Sequence, residues 1–242
     1  MVEVAAFYKF VSLQGLDFVV LRSSLLALME KVGIKGTIIL APDGVNSTIA
    51  GLGRGSTSHI LNKLRTIAGL ESLQPQLSYA EKMPFAKAKV KLKPEILTFK
   101  EPTLPTIAQL TGAFVAPKEW NELITDPQVT LLDTRNTYET EVGTFQNAID
   151  PQIETFVEFK DFVKKLDPAK HKKIAMFCTG GIRCERASNY MLSKGFAEVY
   201  QLQGGITNYF RCVNEDASLW TGSCFIFDER GALDHDLNQA CD

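Results

Sequence analysis

The stretch KIAMFCTGGIRCERAS, residues 173–188, sets one cysteine between a run of apolar residues and two glycines. Ile174, Ala175, Met176 and Phe177 read as a short buried strand that Thr179, Gly180 and Gly181 cannot prolong. From about Ile182 the pattern is helical to Lys194, with Gly195 as a stop. Cys178 therefore falls where a strand gives way to a glycine loop and a helix N-terminus. The first N–H groups of such a helix have no partners within it. Two glycines let the loop curl so that its N–H groups converge on one point, an anion-holding nest at the positive end of the helix dipole. A thiolate at the rim of that nest is stabilised relative to its thiol, with a pKa of ~7 or below against about 8.5 for free cysteine. Arg183 adds a positive charge and a fork of donors for an oxyanion or phosphate. Cys178 is the candidate nucleophile, and Thr179, Gly180, Gly181, Ile182 and Arg183 are the candidate anion-binding loop. Cys184 lies inside the helix and reads as a core residue, with a resolving thiol as the alternative.

A second pattern sits in FAKAKVKLKPE, where Lys87, Lys89, Lys91 and Lys93 alternate with Ala88, Val90 and Leu92. Successive strand side chains point to opposite faces, so this segment predicts an apolar inner face with four lysines outside. Such a stripe can guard a sheet edge against aggregation. With Lys82 and Lys100 nearby, and Arg54, Lys63 and Arg65 upstream, it can equally bind a polyanion. The charge distribution bears on that choice. The first 100 residues hold 13 Lys and Arg against 7 Asp and Glu, a net of +6, while the remaining 142 hold 13 against 21, a net of −8. Halves of opposite sign suggest two domains, the basic one facing an anionic partner.

The elements that must position these residues follow from periodicity. Residues 4–10 (VAAFYKF) read as a strand, 16–32 as a helix closed by Gly33, and 37–41 (TIILA) as a strand. Pro42, Asp43 and Gly44 make a turn into a hairpin partner at 45–50, and 57–68 return to helical spacing. Strand, helix, strand, strand, helix, strand is the order of a ferredoxin-like α+β sandwich, to be completed within 77–97. Residues 98–117 hold three prolines and read as a linker laid along the surface, because Ile107, Leu110 and Phe114 need something to pack on. From Val129 strands and helices alternate (129–133, 156–166, 174–177, 185–192, 199–202), which predicts a doubly wound parallel sheet. The expected division is 1–97, a linker at 98–117, a second domain at 118–228 and a tail at 229–242.

Five cysteines (178, 184, 212, 224 and 241) form no CxxC pair, and residues 1–10 do not read as a secretory signal. No apolar run approaches the ~18 residues that span a bilayer. A cytoplasmic protein with free thiols is expected, without a membrane or an obligate protein partner. Cys212, Cys224 and Cys241 are too widely spaced to suggest zinc, so no metal is expected.

Cys178-Thr-Gly-Gly-Ile-Arg183 resembles the CxxGxR loop of single-domain rhodaneses, which carry a persulfide on that cysteine. LLDTRNTYETEVGTFQNAIDP, residues 131–151, resembles the opening of the same domain, and Gly204-Gly205-Ile206 its glycine pair after the last strand. Asp133 and Arg135 read as bracing the fold. Together with residues 220–228 (WTGSCFIFD), and with GTIILAPDGVNSTIAG and KMPFAKAKVKLKPEI in the first half, the chain resembles the bacterial YceA-type tRNA uridine hydroxylases. Many members of that family run on beyond the Phe-Asp segment into a cysteine-rich tail, where this sequence ends at Cys241-Asp242. The resemblance implies a rhodanese-like second domain, tRNA (the anticodon loop) as partner, and hydroxylation of the wobble uridine to 5-hydroxyuridine. It also implies dioxygen as co-substrate and Cys178 as the catalytic residue; no flavin, haem or iron motif is evident. An ordinary persulfide sulfurtransferase is the alternative, which leaves the basic domain unexplained. A cysteine phosphatase places its arginine six residues after the cysteine, and here the spacing is five. A non-catalytic RNA-binding scaffold leaves the intact Cys178 to Arg183 set without a purpose.

Overall fold

The computed structural model describes residues 1–240, so Cys241 and the end of the expected 229–242 tail lie outside the described residues. The chain forms two compact units. One is Met1–Thr98 with Phe227–Arg230, and the other is Phe99–Ile226 with the residues from Gly231 onward.

The first unit runs β1 (Val2–Phe10), α1 (Phe18–Lys31), β2 (Lys35–Ala41), β3 (Gly44–Leu52), α2 (Ser58–Arg65), β4 (Gln76–Ala80) and β5 (Ala88–Leu92). Its sheet has the order β4-β1-β3-β2-β5, with β1 antiparallel to β3 and β4, β2 antiparallel to β3, and β5 parallel to β2. The first four strands make the expected ferredoxin-like sandwich. The closing segment, however, supplies two strands at opposite edges rather than one. Residues 76–80 complete the sandwich beside β1, and the lysine-bearing stretch becomes a fifth strand on the far side, beside β2.

Local chemistry explains the elements. Asp17 caps α1, its carboxylate accepting from the N–H groups of Val19 and Val20 at 3.0 Å, a device worth about 1 kcal/mol. The buried Glu3 on β1 accepts from Gly55 N (2.7 Å), Thr57 N (3.2 Å) and Thr57 Oγ1 (2.6 Å) and so fixes the approach to α2. Burial pushes this carboxyl up, and those hydrogen bonds outweigh it and hold it below the ordinary value. The β2–β3 turn needs glycine: Gly44 has φ +144°, and a Cβ there would lie 2.0 Å from the carbonyl oxygen of Lys9. Leu25 and Met29 of α1 and Ile60, Leu61 and Leu64 of α2 pack on the sheet's Phe7, Ile38, Leu40, Val45, Ile49 and Val90 to form the core.

The second unit runs β6 (Ala113–Val115), α3 (Pro117–Thr125), β7 (Val129–Asp133), α4 (Thr137–Thr140), β8 (Gly143–Phe145), α5 (Phe159–Val163), β9 (Lys173–Phe177), α6 (Ile182–Ser193), β10 (Glu198–Leu202), α7 (Gly205–Cys212), β11 (Trp220–Gly222), β12 (Cys224–Phe225) and β13 (Ala232–Leu233). A parallel sheet of order β6-β10-β9-β7 is its centre. Ala175 and Phe177 of β9 join Trp120, Ile124, Ile206, Tyr209 and Phe210 from α3 and α7 on one face. By the alternation of a strand, Ile174 and Met176 point to the other. The sheet is wound on both sides, as the strand–helix alternation predicts.

Within the stretch 98–117, residues 113–115 form edge strand β6. Phe99 is buried against Phe156 and Tyr190, with ring centroids 5.0 and 5.4 Å away. Asn189 Nδ2 donates to the carbonyls of Pro105 and Leu110, and Gln201 Nε2 to that of Gly112. Ile107 is buried, while Phe114 remains exposed. Among the described residues no helix is long and apolar enough to cross a membrane.

Candidate active site

β7 and β9 end in register, Asp133 opposite Phe177. The next residues, Thr134 and Cys178, therefore emerge side by side at the carboxyl end of the parallel sheet, the usual place for a ligand crevice in this architecture. Thr134 ties the two strand ends together: its N–H and its Oγ1 both donate to the carbonyl of Phe177 at 3.0 Å. Beyond Cys178 the chain curls through residues 179–181, and Gly181, at φ 99°, takes the left-handed conformation from which α6 starts. The loop rests on the start of α7. The N–H groups of Ile206 and Thr207 donate to the carbonyls of Cys178 (3.0 Å) and Thr179 (3.2 Å). The fit is close enough that a Cβ on Gly205 would lie 2.4 Å from the Cys178 carbonyl oxygen.

With its carbonyls turned outward to α7, the loop turns its N–H groups inward. Gly181 N–H donates to Cys178 Sγ at 3.1 Å, and the backbone N–H groups of Arg183 and Cys184 also reach this sulfur. The sulfur thus fills the nest, where the sequence placed it at the rim. The side chain of Cys178 is directed under the first turn of α6 and is 1% exposed. Thr179, Gly180 and Ile182 are half-buried above it.

Arg183 has a partner that its position in the sequence does not reveal. Its fork, assigned to an incoming oxyanion on sequence grounds, lies on Glu139: Nη1 donates to Oε1 at 2.5 Å and Nη2 to Oε2 at 2.7 Å, with both side chains buried. Glu139 belongs to a capping box at the start of α4, its Oε1 also accepting from Asn136 N–H at 3.1 Å. The Asn136-x-x-Glu139 spacing is a readable signal for that box. It carries no signal for the arginine 44 residues away. Beneath this pair lies a second one. Arg135, fully buried, donates from Nε and Nη2 to the Asp133 carboxylate at 2.9 and 2.5 Å, and from Nη2 to the carbonyl of Gly143 at 2.6 Å. Asp133 and Arg135 brace the ends of β7 and β8 and do not face the loop's outer surface.

These surroundings separate the three thiols that are buried among the described residues. Burial alone would raise Cys178, but the Cys184 thiol, the Arg183 charge and the loop N–H groups outweigh it and bring its pKa down to about 6. Cys184 is pushed well above the ordinary thiol range, first by burial and then by the negative sulfur beside it. Cys224 is raised to about 12, again by burial first. Glu139 holds the Arg183 charge in place against its own burial. Among the described residues no group of three or more His, Cys, Asp or Glu side chains is arranged to hold a metal.

The lysine stripe belongs to the first unit. Lys87, Lys89, Lys91 and Lys93 are all exposed along β5, as is Lys82 in the loop before it. Arg22, which the sequence pattern did not single out, reaches across from α1 and donates from Nε to the carbonyl of Val90 at 3.1 Å. A groove of about 390 Å³ runs here, lined by Arg22, Leu26 and residues 87–91. Arg65 is occupied locally, holding the carbonyl of Leu73 with Nε and Nη2.

Because its pKa lies below the ordinary thiol value of about 8.5, Cys178 is expected to be thiolate at pH 7 and to lose that charge as pH falls through about 6. Thiolate absorbance titrated in the wild type, minus that of Cys178→Ser, measures this directly. The expected midpoint is near pH 6 rather than in the ordinary thiol range.

Residues 2–96 match the family model of the UPF0176 acylphosphatase-like domain, and residues 116–212 that of the rhodanese-like domain. Solved structures similar to this chain include a rhodanese-related protein of Thermoplasma volcanium, 26% identical over 41% of this chain and 91% of that one, with a TM-score of 0.34. A rhodanese-like domain protein of Staphylococcus aureus is 18% identical over 44% and 97%, with a TM-score of 0.36. The As-Sb reductase of Leishmania major is 18% identical over 49% and 93%, with a TM-score of 0.38. With a UPF0176 acylphosphatase-like domain at residues 2–96 joined to a rhodanese-like domain at residues 116–212, the chain has the domain architecture of the YceA/TrhO family.

Proposed function

We propose that the protein hydroxylates carbon five of the wobble uridine of tRNA, giving 5-hydroxyuridine, with dioxygen as co-substrate and Cys178 as nucleophile. The observation that carries this reading is the Cys178 sulfur, held under a glycine loop by the Gly181 N–H at 3.1 Å, in a chain of YceA/TrhO architecture. A thiolate adding to carbon six of uracil makes carbon five electron-rich toward oxygen, and the same sulfur leaves when the ring regains its double bond. A low-pKa thiol suits both steps, being ionised before attack and a good leaving group afterwards. The wobble base lies in a single-stranded loop, from which it can be splayed out without opening a duplex.

A polyanionic substrate accounts for the basic first unit. Lys82, Lys87, Lys89, Lys91 and Lys93 are exposed on a sheet-edge strand and to either side of it, and each phosphate neutralised by a lysine releases counterions. The second reading, persulfide sulfur transfer, rests on the rhodanese match at residues 116–212 and on the N–H groups around Sγ. It gives the lysine strand no task beyond guarding the edge.

Nucleoside mass spectrometry of tRNA separates these readings. In cells lacking the gene, 5-hydroxyuridine and its derivatives should disappear and return with the wild type but not with Cys178→Ser, whose tRNA affinity is expected to be unchanged. Persistence of those nucleosides in cells without a paralogue would contradict hydroxylation and turn the test to persulfide transfer. For the lysines, the combined Lys87→Ala, Lys89→Ala, Lys91→Ala variant should bind tRNA more weakly. The slope of log affinity against log salt should become shallower by up to roughly two to three units if each lysine meets one phosphate. An unchanged slope would make β5 an edge guard alone.

A further inference from the structure

Cys184 has no role in the reaction as written so far, yet it is the side chain nearest in kind to Cys178 and in direct contact with it. Each of the two thiols shifts the ionisation of the other. Cys184 is fully buried in the first turn of α6, and its Sγ lies 3.5 Å from Thr134 Oγ1, the hydroxyl that also holds the strand end before Cys178. Cys224, the third buried thiol, lies instead beside Thr179 and Arg135. We propose that Cys178 and Cys184 are a redox-active dithiol whose closure to a disulfide supplies the two electrons that hydroxylation of the uridine consumes. This inference rests on the hydroxylase reading.

The electron count is what requires such a donor. One oxygen atom of dioxygen becomes the new hydroxyl on carbon five. The other must be reduced to water, which takes two electrons and two protons. A thiolate and a thiol that close a disulfide release the two electrons and one of the protons, and solvent supplies the other. The net step is the uridine C5–H, dioxygen, the Cys178 thiolate, the Cys184 thiol and one solvent proton going to C5–OH, water and one disulfide. The O–O, C5–H and Cys184 S–H bonds break, a C–O and an S–S bond form, and the protons from C5, Cys184 and solvent end on the new hydroxyl and the water. A further cycle needs an external dithiol to reopen the disulfide by thiol–disulfide exchange.

Closure joins two thiols that meet at one end of the loop. A disulfide needs its sulfurs about 2.05 Å apart, with Cα atoms roughly 4.4–6.8 Å apart. The two sulfurs are neighbours across one turn of loop and helix, each shifting the ionisation of the other, with Gly181 N–H on Cys178 Sγ at 3.1 Å and Thr134 Oγ1 on Cys184 Sγ at 3.5 Å. The intervening residues include Gly181 in the left-handed conformation and Gly180, where an added Cβ would meet open space. The opposite shifts of the two thiols also assign parts. Cys178 carries the charge and is the better nucleophile and leaving group, while Cys184 holds its proton until the disulfide forms.

The test is a turnover count on the intact wild-type chain. Fully reduced protein is freed of external thiol, mixed with tRNA and exposed to air, and then alkylated and mapped by mass spectrometry. The expected result is at most one 5-hydroxyuridine per protein, with a Cys178–Cys184 disulfide in equal amount, and repeated turnover once dithiothreitol is added. Cys184→Ser should bind tRNA normally and form no product without added thiol. Repeated turnover without external thiol, or product formed while both cysteines remain open to alkylation, would overturn the dithiol alone. So would a disulfide to any other cysteine. Absence of product even with dithiothreitol present would overturn the hydroxylase reading, and this inference with it.

Discussion

The site depends on one buried ion pair. Arg183 and Glu139 lie out of water, joined by two short hydrogen bonds. Taking two charges into the interior costs several kcal/mol per ion, which their attraction offsets only when the geometry is good and the remaining donors are satisfied. Both conditions hold, because Glu139 also caps α4 through Asn136. Removing either partner would leave a buried charge unpaired, at a cost of about 3–5 kcal/mol. A pair so expensive to break fixes the first turn of α6 against α4. It also sets a permanent cation beside a sulfur that burial would otherwise keep protonated.

The rest of the loop follows from that anchor. The carbonyls of Cys178 and Thr179 are taken up by the start of α7, so the neighbouring N–H groups are left to face the sulfur. Thr134 holds the end of β9 on one side, and the absence of a side chain on Gly205 allows the approach on the other. No single contact here is strong, since a typical hydrogen bond contributes about 1 kcal/mol net. Their common direction is what turns an inert buried thiol into an ionised one. The N–H groups, the Arg183 charge and the Cys184 thiol all favour the charged form of the same atom.

Much of this arrangement was readable in the sequence, and the gaps have physical reasons. The strand–glycine–helix pattern at 173–194 is local, and β9, the loop and α6 appear where periodicity puts them. Strand β5 was readable as a lysine–apolar alternation, but its place beside β2 was not, because pairing partners are not encoded in local period. Helix α7 escaped the pattern because it opens with two glycines at positive φ, residues that ordinarily mark a turn. The arginine was visible as a charge and misassigned as a free donor. Its partner comes from a four-residue helix whose apolar period is too short to register. Cys184 read as core, which its burial supports, while its contact with Cys178 depends on how tightly the loop curls.

The central claim is that Cys178 is ionised by fixed surroundings, with Arg183 held in place by Glu139 as the principal charge. The direct measurement is the thiolate titration of Cys178 in the Glu139→Gln, Arg183→Met double variant. That variant removes both charges and leaves neither buried alone, so the fold can survive the change. The account predicts a midpoint that rises from about 6 toward the ordinary thiol value. A midpoint that stays near 6 in a folded double variant would contradict it, and the Cys184 thiol with the backbone nest would then be what holds the charge.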